Sequence, residues 1–294
     1  MGRRTHRDDR GPRRRSGGPQ SGGIGPLSKT LKLKTRHYRA LPIDKAGYAE
    51  DVFELPVERT ALIGLHCWNV GLPDGPEIDV NYVTGMGWPQ ATEESWRVMR
   101  EVIRPAMDIA RRIGMPVCHV EPDDFDKHYP QVPSRRTPEN QRRAASLQTQ
   151  ADRWTIVRTG ELQTIEKRST GVDLAKSPAA RMKRAKIVEP IGDEPLVFYT
   201  DQLDAYLQER GVETLIYTGF AADMCILNSE GAGRPMLRAG YRCILMRDGT
   251  VGVETPDTFP ERLATRYGIH RFEIAVGYST TWADFQAAVA ILEA

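Results

Sequence analysis

The 294-residue sequence has few of the features that mark secreted, membrane or zinc-binding proteins. Its four cysteines lie far apart and form no Cys-x-x-Cys pair or zinc spacing, so free thiols are expected rather than disulfides. No apolar run approaches the roughly 20 residues that span a bilayer. The basic N-terminus also lacks the hydrophobic core of a secretory signal. These absences predict a cytoplasmic protein that has no membrane partner.

Excess charge of either sign is also missing, because the net charge is only +2. The molecule as a whole therefore lacks the footprint of a nucleic-acid-binding protein. Basic residues are concentrated at the start, where seven of the first fifteen residues are arginines, followed by Gly, Ser and Pro. We expect residues 1–35 to be a disordered, solvated basic tail, and the less favoured alternative is a weak contact with RNA or an anionic surface. Its deletion is predicted to leave folding and turnover unchanged.

The remaining chain is predicted to be one domain with two additions. Residues 36–58 have irregularly spaced aromatic residues and are interpreted as an arm packed across the domain or a neighbouring subunit. Residues 59–294 form the domain itself, which is interrupted at about 125–186 by a long polar insertion. Loops of this length are usually functional or mobile, so the insertion is a lid, an oligomer arm or both. A homo-oligomer is expected.

Strand and helix patterns alternate along residues 59–294. Residues 60–65 are a continuous apolar run of the kind found in parallel sheets. An apolar stripe at helical spacing follows over 98–113 and ends at Gly114, after which 115–120 is again a strand pattern. A last short strand is predicted over 272–276. The alternation predicts a three-layer α/β/α fold around a mostly parallel sheet.

The candidate nucleophile is Cys225. Residues 215–218 are typical of a buried strand, which Gly219 breaks. The turn that follows places Cys225 at a predicted helix N-terminus, where unpaired N–H groups and the helix dipole favour a thiolate and an oxyanion. A lone cysteine among apolar residues is also often an inert core residue, so both interpretations stand on the local pattern.

The sequence TGFAADMCI at 218–226 resembles the strand–turn–cysteine element of the isochorismatase-like cysteine hydrolases. This family includes nicotinamidases, carbamoylsarcosine amidases and ureidoacrylate amidohydrolases, and the resemblance runs from about Arg59 to the C-terminus. It implies an isochorismatase-like α/β fold and a cis peptide between Phe220 and Ala221. It also implies an oxyanion hole formed by the backbone N–H groups of Ala221 and Cys225.

The chain departs from the family at two charged positions. His66 stands where the family has the aspartate that takes the proton from the cysteine, although Asn69 matches the family's asparagine. The family's lysine and its loop are missing between residues 193 and 200. The nicotinamidases bind a metal through an Asp-x-His element that residues 119–128 do not reproduce. We therefore expect neither a metal nor another cofactor.

These residues predict a cysteine-dependent hydrolase of a small amide or carbamoyl substrate. Cys225 is the nucleophile, and His66 is its base or its imidazolium partner, with a thiol pKa below the usual value. Glu194 or Asp223 is a candidate to orient the imidazole. The alternatives are a noncatalytic binding or scaffold protein of the same fold, or hydrolysis of a vinyl ether without covalent attack. The residues expected to bind substrate are Trp68, Asn69, Trp88, His119 and Phe220.

Overall fold

The computed structural model describes residues 29–79, 85–122, 125, 128–130, 159–161 and 178–294. Its strands form one eight-stranded sheet in the order β2-β1-β8-β7-β6-β3-β4-β5. Neighbouring strands from β8 to β5 are parallel, whereas β1 pairs antiparallel with β2 and β8. The strands are β1 Thr30–Arg39, β2 Gly47–Pro56, β3 Thr60–Leu65, β4 Val117–Val120, β5 Leu196–Val197, β6 Thr214–Gly219, β7 Arg242–Met246 and β8 Tyr278–Thr280.

Helices cover both faces of this sheet, which confirms the predicted three-layer α/β/α fold. One face packs against α1, α2 and α7, and the other packs against α3, α4, α5 and α6. The face under α1, α2 and α7 buries the first apolar cluster and the opposite face buries the second, as expected of a sheet that alternates its side chains between two helical layers. The helices are α1 Pro89–Val98, α2 Arg104–Ile113, α3 Thr200–Glu209, α4 Cys225–Asn228, α5 Gly233–Arg238, α6 Leu263–Ala275 and α7 Trp282–Glu293.

The prediction of a strand over 272–276 was wrong. These residues close α6, and the strand is β8, a few residues later. Phe272 and Val276 are buried against the sheet from the helical layer. A short apolar run does not by itself distinguish a buried helix end from a buried strand.

The tail boundary near residue 35 and the separate arm over 36–58 were also wrong. Strand β1 begins at Thr30 and forms a hairpin with β2, and this hairpin extends the main sheet at β8. Leu31 and Leu33 are fully buried, while the intervening Lys32 is exposed. This alternation is that of a strand with one covered face. The tail prediction for residues 1–28 and most of the predicted insertion lie outside the described residues.

We expect truncation of Leu33 to destabilise the protein strongly. Leu33→Ala removes a fully buried side chain from the first apolar cluster, which should lower the free energy of unfolding by about 2–5 kcal/mol. The control is Lys34→Ala on the exposed face of the same strand, which should change it by less than about 1 kcal/mol. Urea unfolding of both variants checks the difference. Similar small losses would mean that β1 is not part of the folding unit.

Candidate active site

The cysteine turn is built as the sequence predicts. Strand β6 ends at Gly219, the peptide between Phe220 and Ala221 is cis, and Cys225 is the first residue of α4. The carbonyl of Ala221 accepts hydrogen bonds from the N–H groups of Met224 at 3.2 Å and of Ile226 at 3.0 Å. These bonds hold the turn closed and carry Cys225 to the carboxyl end of the sheet, where ligands bind in open α/β folds.

The environment of the Cys225 thiol differs from the prediction of a depressed pKa. Burial raises the thiol pKa, and the carboxylates of Asp223 and Glu121 raise it further, while a hydrogen bond from the Ala221 N–H lowers it. Helix α4 has four residues, so the helix dipole contributes little. The resting thiol is therefore protonated at neutral pH, and the prediction of a resting thiolate was wrong.

Two backbone N–H groups remain available near this sulfur. In the described part of the chain, no backbone carbonyl accepts a hydrogen bond from the N–H of Ala221 or of Cys225. These groups stay candidates for the predicted oxyanion hole, which requires donors aimed at the developing negative charge.

His66 lies directly beside the cysteine turn along the backbone. It follows β3, whose last residue, Leu65, pairs with Gly219 and accepts a hydrogen bond from the Phe220 N–H at 2.9 Å. The φ angle of His66 is 51°, a left-handed conformation in which the chain leaves the sheet. His66 is 2% exposed, and neither of its ring nitrogens has a hydrogen-bond partner among the described residues. A neutral ring with free nitrogens is able to accept a proton.

Burial and the charge of Arg184 lower the His66 pKa to about 3. The imidazole is thus neutral at physiological pH, and the alternative of a resting imidazolium partner for Cys225 was wrong. Neither suggested carboxylate orients the ring. Glu194 hydrogen-bonds to His119 and Arg111, and Asp223 accepts from the backbone N–H of Val253 at 2.9 Å.

An ion pair between Arg184 and Glu121 lies beneath the strand ends, and sequence reasoning missed it. Both side chains are fully buried. Glu121 directly follows β4, while Arg184 lies in the last residues of the predicted insertion. Glu121 directly follows a predicted strand, and this position is a sequence signal for a residue at the site. Nothing in the basic run around Arg184 distinguished it from solvated neighbours.

Two of the five expected substrate-binding residues make hydrogen bonds within the fold. The Asn69 side chain donates to the Asp74 carbonyl at 2.7 Å and accepts from the Lys183 N–H at 3.0 Å, and the residue is fully buried. His119 is also fully buried, with its Nε2 2.8 Å from a Glu194 carboxylate oxygen. Both side chains therefore stabilise the fold through these hydrogen bonds, and their binding of substrate stays a prediction.

The three aromatic residues of this set, Trp68, Trp88 and Phe220, differ in their burial and in their contacts near the strand ends. Trp68 is partly buried, with its ring centroid 5.7 Å from that of His66. Trp88 is also partly buried, and its backbone N–H donates to the Glu254 carbonyl at 3.0 Å. Phe220 is 1% exposed and belongs to the first apolar cluster. Trp68 and Trp88 remain predicted walls for a planar substrate, whereas Phe220 supports the site from the core.

Comparisons with known proteins give one family and several similar structures. The family model described as the isochorismatase domain matches residues 183–282. A cysteine hydrolase from Pseudomonas syringae pv. phaseolicola is 16% identical, and the match covers 80% of this chain and 94% of that chain with a TM-score of 0.48. An isochorismatase family protein from Desulfovibrio vulgaris is 17% identical, with 79% and 98% coverage and a TM-score of 0.45.

A nicotinamidase from Staphylococcus aureus is also similar, at 10% identity, 76% and 99% coverage and a TM-score of 0.39. No helix in the described ranges has the length and apolarity needed to cross a membrane. The family match includes β6, the cysteine turn and α4. The resemblance to the isochorismatase-like family is thus confirmed over residues 183–282, the part of the chain that carries Cys225.

Proposed function

We propose that the protein is a cysteine-dependent hydrolase of small amide or carbamoyl substrates, in which neutral His66 acts as the base for Cys225. The observation that carries the proposal is the pairing of the strand ends, which sets a buried, neutral imidazole with free nitrogens beside the cysteine turn. Cys225 is half-buried, whereas the other three cysteines are buried. The paired strand ends thus bring this one half-buried thiol and a potential proton acceptor to the same edge of the sheet.

The first chemical step joins the Cys225 sulfur to the carbonyl carbon of the substrate. The thiol proton moves to His66 as the carbon–sulfur bond forms, and the carbonyl π electrons move to oxygen. The N–H groups of Ala221 and Cys225 would bind this oxyanion. The developing negative charge raises the proton affinity of the imidazole during attack, although the resting ring is a weak base.

The second step breaks the carbon–nitrogen bond. The imidazolium formed in the first step gives its proton to the departing nitrogen, and a thioester on Cys225 remains. Water then attacks the thioester, His66 takes its proton, and the acid leaves as the thiol is restored. Trp68 and Trp88 would supply the apolar walls for the planar substrate.

A noncatalytic binding or scaffold protein is the second candidate, and one observation favours it. The pKa of the Cys225 thiol is raised, as in an ordinary buried cysteine. The two candidates differ in how that thiol reacts. A thiol without a base reacts through its small thiolate fraction, so its rate rises tenfold per pH unit below its pKa.

The pH profile of Cys225 alkylation by iodoacetamide tests the proposal. If neutral His66 assists, the rate should be nearly independent of pH between about 5 and 8, since the His66 pKa is about 3 and the thiol pKa is raised. His66→Gln should lower the rate at pH 7 at least tenfold and restore the tenfold rise per unit. Mass spectrometry locates the adduct, with Cys225→Ala as the control. A profile that rises tenfold per unit in the native protein would favour the scaffold candidate.

A further inference from the structure

A cavity of about 420 Å³ lies between helix α6 and the β1–β2 hairpin. Its lining residues are Arg36, Tyr48, Leu263, Arg266, Tyr267, Ile269 and His270. None of these seven residues belongs to the cysteine site described above, and the volume is in the range of small-molecule sites. The chemistry of the lining therefore indicates what the cavity is able to bind.

Helix α6 separates the cavity from the cysteine turn. A Cβ on Gly268 would lie 2.3 Å from the carbonyl carbon of Ala222, so this side of the helix packs directly against the turn. At about 3.6 residues per turn, four of the lining residues form a stripe that faces away from Gly268. They are Leu263, Arg266, Tyr267 and His270. The cavity is therefore a separate site on the far side of α6.

Two tyrosines form aromatic walls of the cavity. Tyr48 and Tyr267 line it and are 53% and 60% exposed. The Tyr48 ring is held by its neighbours, because its centroid is 5.1 Å from that of Tyr38 and its hydroxyl oxygen is 3.3 Å from Nδ1 of His270. Exposed rings of this kind gain from contact with another planar ring, which removes apolar surface from water and aligns the two rings.

The two permanently charged lining residues are arginines, and the seven include no carboxylate. Arg36 is fixed, because its Nε donates to Glu273 at 2.7 Å and its Cζ lies 4.4 Å from the Tyr48 ring centroid. Within the described ranges, neither Nη of Arg36 takes part in a hydrogen bond. The Arg266 side chain is 69% exposed, and its 4.0 Å contact with the exposed Glu261 contributes little. Both guanidinium groups are therefore able to bind an anion.

A planar aromatic carboxylate suits this arrangement better than an anion without a ring or a ring without a charge. Its two oxygens match the paired N–H donors of a guanidinium, and its ring would cover the exposed tyrosines. We propose that the cavity is a second ligand site, which binds a small planar aromatic carboxylate. The ring packs against Tyr48 and Tyr267, and the carboxylate pairs with the guanidinium groups of Arg36 and Arg266. This binding requires no cysteine chemistry, so it stands apart from the proposed hydrolysis.

Benzoate is a suitable probe, and the His270 ring reports where it binds. Titration of the native protein with sodium benzoate should shift the NMR signals of the His270 ring saturably, because this ring lines the cavity. The signals of His66 and His119, which lie next to β3 and within β4, should stay unchanged. His270→Gln assigns the signal.

Two variants on α6 test the two kinds of contact. Arg266→Gln removes a charge that pairs with the carboxylate, so benzoate should bind at least about tenfold more weakly. Tyr267→Ser removes an aromatic wall and should weaken binding at least about threefold. Both side chains are exposed, so both variants should fold as the native protein does. The matched control is Arg271→Gln, which lies on the same helix outside the cavity lining and should leave the affinity unchanged.

Two simpler ligands separate the contributions of the ring and the charge. Acetate lacks the ring and benzyl alcohol lacks the charge, so each should bind at least about fivefold more weakly than benzoate. A benzoate-induced shift of the His66 signals without one at His270 would place the ligand at the strand ends and overturn the proposal. So would the lack of a saturable shift at His270, a simpler ligand that binds as tightly as benzoate, or equal affinities in Arg266→Gln and Arg271→Gln.

Discussion

Gly219→Ala should prevent the protein from reaching its native state. The φ angle of Gly219 is 109°, and a Cβ there would lie 1.9 Å from the Leu65 carbonyl oxygen. That oxygen also accepts the Phe220 N–H, so the contact lies at the junction of β3, β6 and the cysteine turn. A backbone atom has no rotamer by which to move away, so the two strand ends would have to separate.

Gly240 provides the matched control. Its φ angle is 103°, close to that of Gly219, but no atom lies within 4 Å of its Cβ position. Gly240→Ala should therefore cost only the backbone strain, about 1–3 kcal/mol. Circular dichroism and thermal unfolding of the two variants measure the difference. Equal destabilisation would show that φ alone, rather than the contact with β3, requires the glycine at 219.

The two elements that meet at Gly219, strand β3 and the cysteine turn, were both predicted from the local sequence. Strand β3 was predicted with its observed bounds, and the sequence TGFAADMC placed Cys225 at a helix start. These features depend on short-range patterns: an unbroken apolar run, a glycine at a strand end, and a turn of fixed length. Local patterning specifies such elements because each residue's neighbours in sequence are also its neighbours in space.

The start of the domain was misplaced although the sequence there carries a strand pattern. The composition of the preceding stretch was given more weight than that pattern. Residues 31–36 alternate apolar and basic or polar side chains as a half-buried strand does, yet they follow directly on a Gly- and Arg-rich stretch. Because the composition was judged over a long window, the alternation of apolar and polar side chains over these six residues was overlooked. The alternation becomes unambiguous only when Leu31 and Leu33 are seen packed against the rest of the sheet.

The electrostatics of the site depend on contacts that no local pattern encodes. Arg184 and Glu121 are separated by 63 residues, and much of the intervening chain is polar and variable in pattern. His66 was placed correctly at a strand end, but its charge state depends on that distant guanidinium and on burial. A residue's position along a strand is predictable from sequence, whereas its pKa requires the full set of charged neighbours.

Acidification from pH 7.5 to 4.5 should remove about 5 kcal/mol from the free energy of unfolding. Burial, aided by Arg184, lowers the pKa of both His66 and His119 from 6.5 to about 3. Below pH 6.5 the unfolded chain binds a proton at each histidine and the native protein does not. Stability is therefore full above 6.5 and falls continuously until pH approaches 3.

The magnitude follows from the two shifts. At pH 4.5 each histidine lies about two units below its unfolded pKa, which corresponds to about 2.7 kcal/mol per residue. Glu194, whose pKa is lowered to about 2, contributes in the same direction only below its usual value of 4.5. Asp223 and Asp248 oppose the trend in part, because their pKa values are raised in the native state.

Urea unfolding at several pH values checks this expectation residue by residue. His66→Gln and His119→Gln each remove one site that only the unfolded chain protonates, so each should reduce the slope of stability against pH between 6 and 4.5 by up to about 1.4 kcal/mol per unit. The double variant should lose both contributions. A native slope that persists in both single variants would show that the buried rings are already charged in the folded protein, which would also remove neutral His66 as the base for Cys225.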